Sequence, residues 1–309
     1  MRAIDRLIEA IEEKENPTVF GLDSRYDYIP HAASLAGEPN WQRLAAERLW
    51  EYNKAMLDAL ADIVPAVKLQ IAYYEMCGLW GMELFHRCCQ YAASKKYFVI
   101  IDAKRGDIGA TADAYATAFL GRSEMGGQAM EAFPCDMLTV NPYFGSDGIL
   151  PFVNQCSQHD KGIFILVKTS NPSSGEFQDL EVQGQPLYAR VANKVSEWAQ
   201  NSIGEHGYSD VGAVVGATYP VQGKELRQKH PELFFLVPGY GAQGATAEDL
   251  AGCFDAEGSG AIVNASRSLL LAHRKQPDQD WLEATRTEAL QMKEHLNQAI
   301  AEQHGLRRK

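Results

Sequence analysis

Three charges close an apolar run in the segment Tyr97–Ala116. Phe98-Val99-Ile100-Ile101 has the β-branched, uninterrupted character of a buried parallel strand. It leads directly into Asp102, Lys104 and Asp107, with Gly106 and Gly109 beside them. Side chains two apart on a strand share a face, so Asp102 and Lys104 are expected to point together from the strand's C-terminal end. Asp107 falls beyond it in a glycine-rich turn, and Thr111 stands where a helix should begin. Charges so placed are costly in a core. They mark either a chemical site or a salt-bridged strand end that caps the next helix, and the charge pattern alone leaves both open.

Lys68 adds to the first reading, because it lies inside another short apolar run, Ala66-Val67-Lys68-Leu69-Gln70. If Lys68, Asp102, Lys104 and Asp107 alternate in space, each ammonium has carboxylate neighbours, which favour protonated lysine and ionised aspartate. Lys104 is then a charged proton donor and not the neutral amine that a Schiff base requires.

A second constellation suits an anion. Pro238-Gly239-Tyr240-Gly241-Ala242-Gln243-Gly244 and Asn264-Ala265-Ser266-Arg267-Ser268 each follow an apolar run. Glycines such as Gly241 let backbone N–H groups approach a phosphate, and Arg267 offers a bidentate fork. The plainer reading makes the glycines tight turns and pairs Arg267 with a surface acid.

The elements that must position these residues are eight apolar runs. They are Pro17–Asp23, Ala66–Gln70, Phe98–Ile101 with its charged extension, Met137–Pro142, Gly162–Lys168, Gly212–Thr218, Phe234–Gly239 and Gly260–Ala265. They alternate with amphipathic helical segments, from an N-terminal helix to a C-terminal one over Trp281–Lys309. This alternation predicts an α/β fold, a (β/α)8 TIM barrel occupying residues 1–309 as a single domain. A doubly wound sheet fits less well, since no GxGxxG follows the first run. In such barrels the site lies at the C-terminal mouth, where the runs place Asp23, Lys68, Asp102, Lys104, Asn141, Ser170, Thr218, Gln243 and Arg267.

Composition narrows the function. The 309 residues are 46% hydrophobic and 22% charged, which suits a folded globular chain. A net charge of −11 argues against nucleic acid as a partner. The charged N-terminal helix lacks the apolar core of a signal peptide, and no run has the length of a membrane span, so a cytoplasmic protein is expected. Cysteines 77, 88, 89, 135, 156 and 253 contain no CxxC and read as reduced core thiols. The eight histidines have no metal-binding spacing. The basic end, Arg307-Arg308-Lys309, reads as a solvated tail, and the segment 121–133 as an insertion with room to move.

The string Asp102-Ala103-Lys104-Arg105-Gly106-Asp107-Ile108-Gly109 resembles the signature of the orotidine 5′-phosphate decarboxylase family, particularly its longer, bacterial-type branch. PGYGAQG and NASR are similar to that family's phosphate loops. The resemblance implies that Lys104 delivers a proton to C6 of the pyrimidine as CO2 leaves, with Asp102 against the departing carboxylate. It implies that Lys68 orients Asp102 and, with Asp23, binds the ribose. It gives Ser170 the pyrimidine ring, and Gln243 and Arg267 the phosphate. Asp107 and Thr111 resemble residues that reach the neighbouring subunit's site in a homodimer. No metal and no organic cofactor is implied. The loop after the fifth run is longer than in the compact branch, which weakens the match at Ser170, and Lys168 has no assigned role.

Three rivals remain at this level. A sugar-phosphate synthase or decarboxylase on the same barrel would use Mg²⁺ and need another carboxylate near Asp102, where Lys68 stands instead. An aldolase would form a Schiff base on Lys68, Lys104 or Lys168. A non-catalytic phosphate-ligand binder would have no need of the charge array.

Overall fold

The computed structural model describes residues 1–241 and 244–306. Eight parallel strands close into a barrel: β1 (Thr18–Gly21), β2 (Ala66–Gln70), β3 (Phe98–Arg105), β4 (Met137–Val140), β5 (Gly162–Lys168), β6 (Val211–Val215), β7 (Phe235–Pro238) and β8 (Ala261–Ala265). Each pairs with its successor, and β8 returns to β1. All eight apolar runs are therefore strands of one closed barrel, several ending a residue or more earlier than their composition suggests.

Pleating divides the apolar residues into two layers. An outer layer packs strands against the surrounding helices through residues such as Val67, Val99, Leu138 and Val167. An inner layer fills the lumen with Val19, Phe98, Ile100, Met137, Phe164 and Ile262 among others. The N-terminal helix (Ala3–Lys14) plugs the bottom of the lumen with Ala3, Ile4, Leu7 and Ile8. Burying each of the larger side chains contributes about 1.5–3 kcal/mol. The plug is tied down where the backbone N–H of Ile4 donates to Asp210 at 3.0 Å. A closed apolar floor is what gives the barrel one polar mouth. Along β2, β3 and β4 the inward series Ala66–Lys68–Gln70, Phe98–Ile100–Asp102 and Met137–Thr139 each turn from apolar to polar toward that mouth.

The insertion at 121–133 contains a β-hairpin, Ser123–Met125 against Gln128–Met130, turned by Gly126 and Gly127 at positive φ. A second small hairpin joins Glu181–Val182 to Gln185–Pro186. All six cysteines are free, and all but Cys77 are buried, as their scatter implied. Among the described residues no helix is long and apolar enough to cross a membrane. The basic tail Arg307–Lys309 lies outside the described residues.

Candidate active site

The charge pair that opens the mouth is built by β2 and β3. Register places Gln70 opposite Asp102, with Lys68 two residues earlier on the same inward face. Lys68 Nζ donates to Asp102 Oδ2 at 2.9 Å, and Gln70 Nε2 donates to the same oxygen at 3.0 Å. Lys104 Nζ reaches the other oxygen, Oδ1, at 2.7 Å. Thr139, on β4, also donates its hydroxyl to Oδ1, at 2.8 Å. Asp102 thus receives four donors from three strands.

Asp102 and Lys104 converge, but simple alternation is not the reason. Pairing between β3 and β4 slips between Ile101 and Arg105, a bulge that breaks the strict two-residue period. Lys104 sits at φ 47°, in the left-handed region that costs a non-glycine residue on the order of 1 kcal/mol. Two bonds hold it there: its backbone N–H donates to Thr139 Oγ1 at 3.0 Å, and its ammonium to Asp102. Thr139 therefore grips both members of the pair.

Exposure differs sharply along the network. The Lys68 side chain is 4% exposed and that of Asp102 11%, whereas Lys104 is 45% exposed. Burial works against the charge on Lys68, but the carboxylates of Asp102 and Asp23 outweigh it and hold the ammonium's pKa above the usual lysine value. Burial likewise disfavours ionised Asp102, and Lys68 and Lys104 overcome that to hold its pKa below the usual carboxylate range. The outcome is a fixed carboxylate between two ammonium groups, one sealed in the wall and one facing the cavity.

That cavity, of about 440 Å³, lies above the network and includes Asp23, Ser170, Asn171 and Asn264 in its walls. Asp23 Oδ1 lies 3.6 Å from Lys68 Nζ, within ion-pair range. Asp23 Oδ1 and Asn264 Oδ1 are buried acceptors with no hydrogen-bond partner among the described residues. Gly21 is required where β1 enters this rim, because a Cβ there would lie 1.8 Å from Ser266 Oγ.

A second basin of about 800 Å³ opens on the same rim, lined in part by Tyr240, Gly241, Gly244, Arg267 and Ser268. Pro238 and Asn264 border the first cavity, and Gly241 and Arg267 follow them on the same two loops. The charged network and the basin that carries Arg267 are therefore neighbours. Gln243 lies outside the described residues.

Asp107 and Thr111 do not join the network within the chain. The Asp107 carboxylate accepts from the backbone N–H of Ile108 at 2.8 Å, and Thr111 is exposed on the first turn of the helix Gly109–Leu120. Within one chain the array is Asp23, Lys68, Asp102 and Lys104, and Asp107 stands apart from it. Gln70 and Thr139 were not singled out from the sequence. Gln70 carried a signal, since it follows Lys68 by two residues on an inward face. Thr139 carried none, because threonine in a strand is unremarkable until β3 and β4 are set side by side.

A closed (β/α)8 barrel whose mouth holds the Lys68–Asp102–Lys104 network beside a basin lined by glycines and Arg267 is the architecture of a barrel enzyme with its site at the C-terminal ends of the strands. The model of the orotidine 5′-phosphate decarboxylase / HUMPS family matches residues 44–280, and the chain belongs to that family. It is 42% identical over 304 residues to an orotidine 5′-phosphate decarboxylase of Caldicellulosiruptor bescii, covering 96% of this chain and 98% of that one. It is 40% identical over 297 residues to the enzyme of the same name from Rhodopirellula baltica, covering 94% and 97%. The solved structure of Leishmania donovani OMP decarboxylase is similar with a TM-score of 0.75 and 30% identity, over 97% of this chain and 99% of that one.

Proposed function

We propose that the chain decarboxylates orotidine 5′-monophosphate to uridine 5′-monophosphate and CO2, a step of pyrimidine biosynthesis, as a carboxy-lyase. The observation that carries this reading is the Lys104 ammonium, turned toward the cavity and held 2.7 Å from Asp102.

Loss of CO2 breaks the bond between C6 and the carboxylate carbon and leaves the electron pair on C6. No π-system accepts that pair. A fixed positive charge beside C6 stabilises it, and Lys104 supplies both the charge and the proton that ends the step. Solvent then reprotonates Lys104. Asp102, kept ionised by Lys68 and Lys104, lies against the substrate carboxylate and disfavours the ground state relative to the departing neutral CO2. Lys68 holds Asp102 in place, and Asp23 accepts from the ribose hydroxyls. Ser170 reads the pyrimidine. Arg267, Gly241 and Gln243 hold the phosphate, whose binding energy supports closure over the reacting carbon.

The reading assigns no metal or organic cofactor. The magnesium-dependent alternative is disfavoured by Lys68, whose ammonium stands 2.9 Å from Asp102 where a divalent ion would need another carboxylate. The working unit in this proposal is a cytoplasmic homodimer of one-domain chains, with Asp107 and Thr111 completing the partner's site. Thr111 is exposed and Asp107 half-buried on the rim, outside the network of their own chain, which suits that role. Product analysis tests the activity: turnover of orotidine 5′-monophosphate in D2O should give uridine 5′-monophosphate bearing deuterium at C6, in step with CO2. Unchanged substrate would overturn the reading.

A further inference from the structure

The loop after β5 carries a buried cation that the mechanism above does not use. Lys168 is the last residue of β5, and its side chain is 0% exposed. Its ammonium donates to Asp179 Oδ1 at 2.6 Å and to Ser174 Oγ at 3.3 Å, and lies 4.2 Å from the centre of the Tyr219 ring. A lysine is seldom sealed in this way unless its charge is matched. Here the partners come from two different loops, and the first of them lines the cavity at Thr169–Asn171.

Each bond leads back to the three residues that follow Lys168. Ser174 donates to the Tyr219 hydroxyl at 2.9 Å, and that hydroxyl donates to the carbonyl of Asn171 at 3.4 Å. Gln178, adjacent to Asp179, accepts from the backbone N–H of Thr169 at 3.0 Å and donates to its hydroxyl at 2.7 Å. Thr218 donates to the carbonyl of Ser170 at 3.1 Å. The turn Thr169–Asn171 is thereby fixed from the segment 174–179 on one side and from the loop after β6 on the other. Thr169, Ser170 and Asn171 all line the cavity, while Lys168 does not.

We infer that Lys168 is a positioning residue: through Asp179, Ser174 and Tyr219 it sets the Thr169–Asn171 turn, and so fixes how the site grips the base of its nucleotide and not its phosphate. The inference rests on the reading that Ser170 faces the pyrimidine, and it names what holds Ser170 there. The anion basin is built by the loops after β7 and β8, and none of its described walls comes from the β5 loop. Loosening the clamp should therefore separate ligands by whether they carry a base.

The test uses Asp179→Asn, since the Asp179 side chain is 45% exposed and its carboxylate can be neutralised without opening a core. Affinities for uridine 5′-monophosphate and for ribose 5-phosphate are measured beside the wild type, with kcat and KM for orotidine 5′-monophosphate. Misplacement by about an ångström can cost on the order of 100-fold in rate, so kcat/KM for orotidine 5′-monophosphate should fall by roughly 10- to 100-fold, and uridine 5′-monophosphate should bind more weakly than to the wild type. Ribose 5-phosphate affinity should stay unchanged, and Asp179→Glu should restore the nucleotide. Equal loss for both ligands, or no loss for either, overturns the inference. Should Asp179→Asn not fold, Ser174→Ala removes an uncharged acceptor of the same ammonium and should show the same ligand-selective loss at smaller size; equal loss there also overturns it. A wild type that binds both ligands but does not decarboxylate would count against the proposed activity, separately from the clamp.

Discussion

Thr139 donates its hydroxyl to Asp102 at 2.8 Å and, with the same oxygen, accepts the backbone N–H of Lys104 at 3.0 Å. One uncharged side chain from β4 thus holds a carboxylate and steadies the left-handed backbone of Lys104. Thr139→Val keeps the shape and removes both bonds. A hydrogen bond to a charged group is worth about 1.5–3 kcal/mol, so kcat should fall by roughly 10- to 100-fold with KM nearly constant. A kcat equal to that of the wild type would show that Asp102 and Lys104 hold their geometry unaided.

Lys104→Ala should abolish decarboxylation while uridine 5′-monophosphate still binds. The 45% exposed Lys104 side chain carries little of the core, and Lys68 remains to pair Asp102. Steady-state turnover and ligand titration on the same preparation check this. Residual turnover near the wild-type rate would remove Lys104 from the proton-donor role.

Arg267→Ala should chiefly raise KM for orotidine 5′-monophosphate. Turnover of orotidine, which lacks the phosphate, should hardly change. Equal losses for the two substrates would move Arg267 out of phosphate binding.

The shared-site proposal has a mixing test. Lys104→Ala and Asp107→Ala homodimers should each be inactive. In a heterodimer of the two, one site joins an intact Lys104 to an intact Asp107 from its partner, so activity should return on mixing. No recovery in verified heterodimers would place the action of Asp107 within its own chain.

The pH dependence follows from the two perturbed groups. Asp102 has a depressed pKa in the folded chain, so its stabilising contribution is present above the ordinary carboxylate value and is lost as pH falls through the folded value. Lys68 has a raised pKa, so its contribution is present below the ordinary lysine value and is lost as pH rises through the folded one. Between about pH 5 and pH 9 neither group changes charge. The melting-temperature gap between wild type and Asp102→Asn should be constant across that window and should narrow in stronger acid. A gap that varies around neutrality would contradict the assignment of fixed charges.

The barrel was legible because buried parallel strands are written as short, uninterrupted apolar runs, and eight of them alternate with helices. The core of the site was legible because Lys68 and Asp102 are charges inside such runs. What stayed hidden depends on neighbours that are distant in sequence. The role of Thr139 exists only across the β3–β4 pairing, and the positive φ of Lys104 only with the bulge in place. Lys168 looked like a strand-end lysine until the chain folded Asp179 and Tyr219 around it. The hairpin at 123–130 was missed because strands of three exposed residues show no burial pattern to read.

In the proposed reaction a fixed lysine charge, without a metal, carries the decarboxylation. Ultraviolet spectroscopy of the purified protein with orotidine 5′-monophosphate, with and without EDTA, addresses it most directly. The orotate absorbance should disappear at the same rate in both, as uridine 5′-monophosphate and CO2 form. A reaction that EDTA stops and Mg²⁺ restores would contradict it, and would place a divalent ion where Lys68 now holds Asp102.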